Sequence, residues 1–169
     1  LITCSQKLFD YIDSRSGKKD FDKIIIQSNS KTNAQLSLSS LDLKIYGVNR
    51  VGLSLAKKVW IKPANNQLLV KKNRDMIFDG FINAGKTQYY GSGFSFLYDD
   101  FKLNLTKCDS MLIWANFKES KKSGQLRWVP SYIESISGFI QIDDPNNKAG
   151  RDTAMHAFPK LHANANSYC

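Results

Sequence analysis

The sequence predicts an all-β fold, a β-roll, sandwich or solenoid-like stack of short strands with one short N-terminal helix. Three observations predict it. Between Leu41 and Leu105 apolar and polar residues alternate, as Leu41, Leu43 and Ile45 do with Asp42 and Lys44, and a period of two places successive side chains on opposite faces of a strand. The alternation returns at Val59/Ile61, Leu68/Val70, Met76/Phe78, Phe94/Phe96 and Phe101/Leu103/Leu105. Each run is closed by residues that turns need, namely Pro63-Ala64-Asn65-Asn66, Lys71-Lys72-Asn73-Arg74, Asp79-Gly80, Ala84-Gly85 and Gly91-Ser92-Gly93.

In chain order, Leu8, Phe9 and Ile12 stand at helical spacing between Ser5, an N-cap residue, and Gly17, a stop signal, which predicts a helix over about 5–15. Its one apolar face suits a cap across a sheet end or edge. Ile24-Ile25-Ile26 is a β-branched run too short for a helix and is expected as a first strand buried on both faces. From Ala34 the strand series runs with turn signals every eight to twelve residues or so, the spacing of sandwiches, barrels and solenoids. No fixed repeat period separates these architectures. Asp79-Gly80, interrupting an apolar run, predicts a bulge or a tight hairpin turn. Further strands are expected at Met111 to Phe117, around Trp128-Val129, and at Ile136, Ile140 and Ile142 with Gly138 inside. The composition then shifts. Residues 1–143 read as a single β-rich domain, and 144–169 as an extended, partly mobile tail that leaves a sheet edge without cover.

With 169 residues, 42% hydrophobic and 12% aromatic, the chain is one globular domain's worth and not a disordered segment. The excess of 24 basic over 15 acidic residues gives a net charge of +9, which raises nucleic acid, an anionic membrane surface or an acidic glycan as partners. Much of the excess lies in Lys-Lys pairs near strand ends and turns, where lysine also keeps edges soluble and unpaired. The polyanion-binding candidates are therefore Lys57, Lys58, Lys71, Lys72 and Arg74. Trp60 beside Lys57, Lys58 and Lys62, and Tyr89-Tyr90 beside Lys86, are of the types that form a stacking-and-charge surface, although core packing accounts for most such aromatics.

No constellation of residues spells a reaction. Gly80 to Thr87 formally matches a phosphate-binding loop, but Phe81 and Ile82 are too bulky to wrap phosphate and the residues after Thr87 do not open a helix. Asp99-Asp100 and Asp143-Asp144 are neighbours on extended chain and point apart, so neither doublet is a hydrolytic pair across a sugar. His156 and His162 lie in the weakly patterned tail with no nucleophile motif around them. Cys4, Cys108 and Cys169 are too far apart for a metal cluster, and Cys108 is expected as a small buried hydrophobe. Neither a cofactor nor a metal site is predicted, and no run approaches the ~20 apolar residues of a membrane span. Since the chain starts at Leu1 and ends at Cys169, the expectation is a fragment of a longer protein.

Leu43-Lys44-Ile45-Tyr46-Gly47-Val48, then Lys71 to Asp75 with Phe78-Asp79-Gly80 and Ala84-Gly85, then Phe94 to Phe101 and Asp144 to Gly150, resemble a segment of large uncharacterised proteins of the Bacteroidota, over residues 8 to 162. The resemblance implies one region of a longer bacterial protein of the cell envelope, and it brings no functional residues with it. Together these readings lead to a non-catalytic structural or interaction module of a bacterial envelope or secreted protein. Its partner would be the rest of the parent chain, or another protein, docked on an uncovered sheet edge. The alternatives are a polyanion-binding β domain and a carboxylate-dependent enzyme acting on glycans.

Overall fold

The structure, a computed structural model, describes residues 24–116, 126–129 and 133–164. Its strands are β1 (Ile25–Ser28), β2 (Ala34–Leu36), β3 (Leu43–Tyr46), β4 (Val48–Ser54), β5 (Val59–Pro63), β6 (Gln67–Val70), β7 (Met76–Ala84), β8 (Thr87–Leu97), β9 (Lys102–Asn116), β10 (Leu126–Trp128), β11 (Ile133–Gln141) and β12 (Lys160–Ala163). All belong to one antiparallel sheet whose main path runs β1-β4-β5-β7-β8-β9-β11-β12, so the fold is all-β as the alternation predicts. The predicted helix over Ser5 to Arg15 lies outside the described residues.

The sheet forks at β7. Its first residues pair with β6, as Val70 with Met76, and its last with β5, from Pro63 opposite Gly80 to Val59 opposite Ala84. One branch therefore continues through β5, β4 and β1, the other through β6, β3 and β2. The fork sits at Gly80 (φ 121), where an added Cβ would lie 2.6 Å from the Lys62 carbonyl oxygen and 2.7 Å from the Ala64 nitrogen. Only glycine admits both that backbone angle and that approach. Asp79-Gly80 is accordingly a bulge inside a continuous strand and not a hairpin turn, with the register slipping between Phe78 and Gly80. Gly91, opposite Gly80, marks a second slip towards β9, and any side chain there would run into the Lys107 carbonyl. Two slips side by side bend the sheet so that one face closes on itself.

That enclosed face holds a single apolar core drawn from both branches and the main path. Ile45, Ile61, Ile82, Phe94, Phe96 and Leu103 have no exposed surface. Edge-on rings tie it together, Phe96 meeting Tyr98 at 6.4 Å and Phe101 at 5.9 Å between centroids.

The structure departs from the sequence reading in four places. Ile25 is 42% exposed, because β1 is covered on one face only, by Ile24 and Ile26 pointing inward. Gly91-Ser92-Gly93 does not separate strands but lies within the eleven-residue β8. The runs at Phe101–Leu105 and from Met111 are one fifteen-residue strand, β9, with Cys108 between them. Finally, the described residues after Asp143, 144–164, are tied to the sheet by hydrogen bonds and by the pairing of β12.

Asp143, with no exposed surface, receives the Asn147 Nδ2 at 3.0 Å and the Asp144 backbone N–H at 2.9 Å, and lies 3.5 Å from the Lys57 ammonium. Asn147 also donates to the Asp152 carbonyl and accepts from the Asp152 N–H. These bonds pin the loop over the β4–β5 turn and deliver β12 to β11, where Phe139 opposes His162 and their rings stack at 4.6 Å. The chain's own β12 thus lies along the edge of β11, and Asp143 sits inside a buried polar network.

Candidate binding face

The five basic candidates do not form one surface. Lys58 lies in the β4–β5 turn, which β5 aligns with the end of β7, whereas Lys71, Lys72 and Arg74 lie in the β6–β7 turn at its start. The nine residues of β7 separate them by roughly 26 Å at about 3.3 Å per residue. Lys57 is drawn inward, its side chain 9% exposed, donating to the Met155 carbonyl at 2.6 Å beside Asp143. Lys71 binds Asp42 at 2.6 Å, and that hydrogen bond holds the Asp42 carboxyl below its ordinary value. Arg74 bridges to Asp99 at 2.9 Å and lies 3.8 Å over the Tyr98 ring. Lys58 and Lys72 remain exposed, at opposite ends of the strand. Lys58 (φ 55) and Arg74 (φ 75) occupy left-handed turn positions, which Gly, Asn and Asp more commonly fill.

The carboxylates carry structure. Asp75 accepts the Tyr98 N–H at 2.9 Å, Asp79 accepts the Gly93 N–H at 2.7 Å across the bulge, and Asp100 meets Lys102 at 2.8 Å. The phosphate-loop lookalike resolves as the β7–β8 hairpin, with Gly85-Lys86 joining Ala84 to its partner Thr87. Asn104 sits inside β9 and donates to Ser95. His156 is exposed and His162 is committed to Phe139. Cys108 is buried, its thiol pushed up to about 11 by desolvation, which makes it a poor nucleophile. Among the described residues no group of three or more His, Cys, Asp or Glu converges to hold a metal, and no helix is long and apolar enough to cross a membrane.

A more organised feature lies on the outward face of the sheet. Residues paired across neighbouring strands share a face, and the pairings carry a row from β4 to β8. Along it the Arg50 guanidinium lies 4.4 Å over the Trp60 ring, Trp60 lies 5.0 Å from Phe81, and Phe81 meets Tyr90 edge-on at 4.9 Å. Tyr90 is 44% exposed. Tyr89, its chain neighbour, points the other way into the core, and burial pushes its phenol up to about 12. The sequence reading placed Trp60 and Tyr90 among candidate stacking residues but missed Arg50 and Phe81, since only the strand register brings all four together.

Beside this row a groove of about 290 Å3 opens over Gly52. Ile25, Leu55 and Trp60 line it together with Arg50, Lys58 and Asn83. Leu55 is 80% exposed. Gly52 has neither a left-handed backbone nor a crowding neighbour, since a Cβ there would meet nothing nearer than Ile25 at 4.0 Å. Its missing side chain is what leaves the groove open. A second, largely apolar concavity of about 120 Å3 is lined by Ile24, Ile26 of β1, Leu43 and Ile45 of β3, Val70 of β6 and Met76 of β7, together with Arg74 and Tyr98. No carboxylate lines either space.

Compared with known proteins, the chain matches no family model, and no curated protein or solved structure shows significant similarity to it.

Proposed function

We propose that this chain is a non-catalytic structural or interaction module of a longer bacterial envelope or secreted protein, joined to its neighbour by backbone pairing along a sheet edge. The observation that carries this reading is how the sheet ends: among the described residues β1 pairs only with β4, β2 only with β3, β10 only with β9, and β12 only with β11. A strand paired on one side presents a row of backbone donors and acceptors to any incoming strand. The four ends are not alike. β12 follows Pro159 and begins with Lys160, and the three-residue β10 carries Arg127 with Pro130 close behind it in sequence, residues that discourage pairing. β1 and β2 carry neither lysine nor proline and expose Ile25 at 42% and Leu36 at 38%, so the docking edges are these two.

The structural engagement of Asp75, Asp79, Asp100 and Asp143 supports the non-catalytic part, because a glycan-cleaving pair needs two carboxylates facing a cleft. The resemblance of Leu43–Val48 and Asp144–Gly150 to large Bacteroidota proteins supports the parent-chain part. Amide hydrogen exchange tests the docking. In a longer product of the encoding gene that contains residues 1–169, the amides of β1 and β2 are expected to exchange more slowly than in the 169-residue chain. Equal exchange rates at both edges in the two proteins would sink the proposal.

A further inference from the structure

We propose that the groove over Gly52 is a binding site for an acidic saccharide, a pyranose ring bearing a carboxylate or a sulfate ester, on the outward face of β4 and β5. The site borders β1, whose Ile25 lines it, but it uses side chains of the outward face and not the backbone of the edge, and four observations converge on it.

The groove exists because residue 52 has no side chain, although neither its backbone angle nor its surroundings demand glycine. Glycine weakens a strand interior and commonly marks a place that another molecule approaches. The walls are apolar at Ile25, Leu55 and Trp60, which suits the C–H surfaces of a sugar ring, and a volume of about 290 Å3 is at the lower end of the range for small-ligand sites. The rim charges have one sign. Arg50 and Lys58 stand over the groove and no carboxylate lines it, so the complementary ligand is an anion. The guanidinium lies 4.4 Å over the Trp60 ring, a contact that restrains a group able to offer a fork of N–H donors to a carboxylate or sulfate.

The same stack argues against a single-stranded nucleic acid. Binding of that kind needs open aromatic faces for its bases. Trp60 has Arg50 packed over its ring and Phe81 against it at 5.0 Å, which leaves it an edge rather than a platform. A sugar ring resting on Ile25 and Leu55 needs no such platform. The row onward to Phe81 and Tyr90, with exposed Lys62 beside it, gives a polymeric ligand a track away from the groove.

The test is a titration of the 169-residue chain with oligogalacturonate, heparin oligosaccharide, neutral galacto-oligosaccharide and oligo-dT, followed by tryptophan fluorescence and calorimetry. Saturable binding of at least one acidic oligosaccharide is expected, with the neutral one and oligo-dT at least about tenfold weaker. The first two probes distinguish a carboxylate ligand from a sulfate ligand. Gly52→Leu, which fills the groove, and Arg50→Gln, which removes the fork, are each expected to weaken binding roughly tenfold or more, the scale of one lost charge-assisted hydrogen bond. Lys71→Gln with Lys72→Gln, at the far end of β7, leaves it within about twofold. Three results overturn the proposal: no saturable binding of either acidic probe, equal or tighter binding of oligo-dT, or acidic-probe binding unchanged in both Gly52→Leu and Arg50→Gln.

Discussion

At the scale of single residues, burial and pairing decide what each titratable group does, and nearest-neighbour sequence does not reveal either. Lys57 and Lys58 are adjacent and chemically identical, yet one closes a buried network with Asp143 and Met155 while the other stays exposed. Nothing within several residues of Lys57 separates it from Lys58, because its partners lie about ninety residues away. Cys108 is the easier reading, since a free cysteine is among the residue types most often buried and packs as a small hydrophobe. Its environment sets an alkaline limit on the fold. Desolvation raises the folded thiol from 9.0 to about 11 and the Tyr89 phenol from 10.0 to about 12, so both stay neutral in the core while the unfolded chain has begun to ionise. A raised folded value gives stability that is complete below the unfolded value and declines as pH rises towards the folded one. The midpoint of urea unfolding is therefore expected to fall between pH 9.0 and 11, and Cys108→Ala to lose less of it over that interval. An identical pH profile for the two chains would remove Cys108 from the account.

At the scale of elements, the alternation of apolar residues is legible: of the fourteen positions it marks between Leu41 and Leu105, eleven are buried, Leu43 and Val70 pack at the margin of the core, and Leu41 is 44% exposed. Strand ends were less legible, because glycine-rich stretches serve equally as turns and as bulges. Gly85 turns the β7–β8 hairpin, whereas Gly91 sits within a strand and bends it, and the sequences around the two do not tell them apart. The difference is what surrounds the α-carbon. At Gly91 a methyl group would run into the Lys107 carbonyl and lie 2.8 Å from the Phe94 ring, whereas at Gly52 the nearest atom is 4.0 Å away. Gly91→Ala is thus expected to destabilise the chain by about 1–3 kcal/mol through overpacking. Gly52→Ala, where the backbone is unstrained and the space open, is expected to be neutral or to stabilise by up to about 1 kcal/mol through the unfolded chain. Chemical denaturation of the two variants measures this directly, and equal losses would mean that the bend at Gly91 is not built on close approach.

At the scale of the whole molecule, the fold class follows from local pattern, but the closure of the sheet does not. The forked β7 and the loop after Asp143 join segments far apart in sequence, and long-range polar contacts leave no periodic trace. That loop is rich in Pro, Asn, Asp and Gly, the composition of a linker, yet its side chains form a connected set: Asp143 to Asn147, Asn147 to Asp152, and Lys57 to both Asp143 and Met155. The set fastens β12 beside β11 and holds the β4–β5 turn, which carries Lys58 and the wall of the outward groove. Ending the chain at Asp143 removes Asn147, Met155 and β12 together, leaving Lys57 and Asp143 short of hydrogen-bond partners. The expected cost is about 3–5 kcal/mol, the range for a buried pair deprived of its partners. Lys57→Met in the full chain isolates the ionic part. It strands the Asp143 charge, and the combination of Lys57→Met with Asp143→Leu is expected to cost less than the sum of the two single changes, as groups sharing one network do. Urea unfolding of the full chain, the shortened chain and the three variants reads all of these terms. If the chain ending at Asp143 unfolds at the same urea concentration as the full chain, the residues beyond it do not hold the sheet closed, and the division of the chain at that residue is a division of the fold after all.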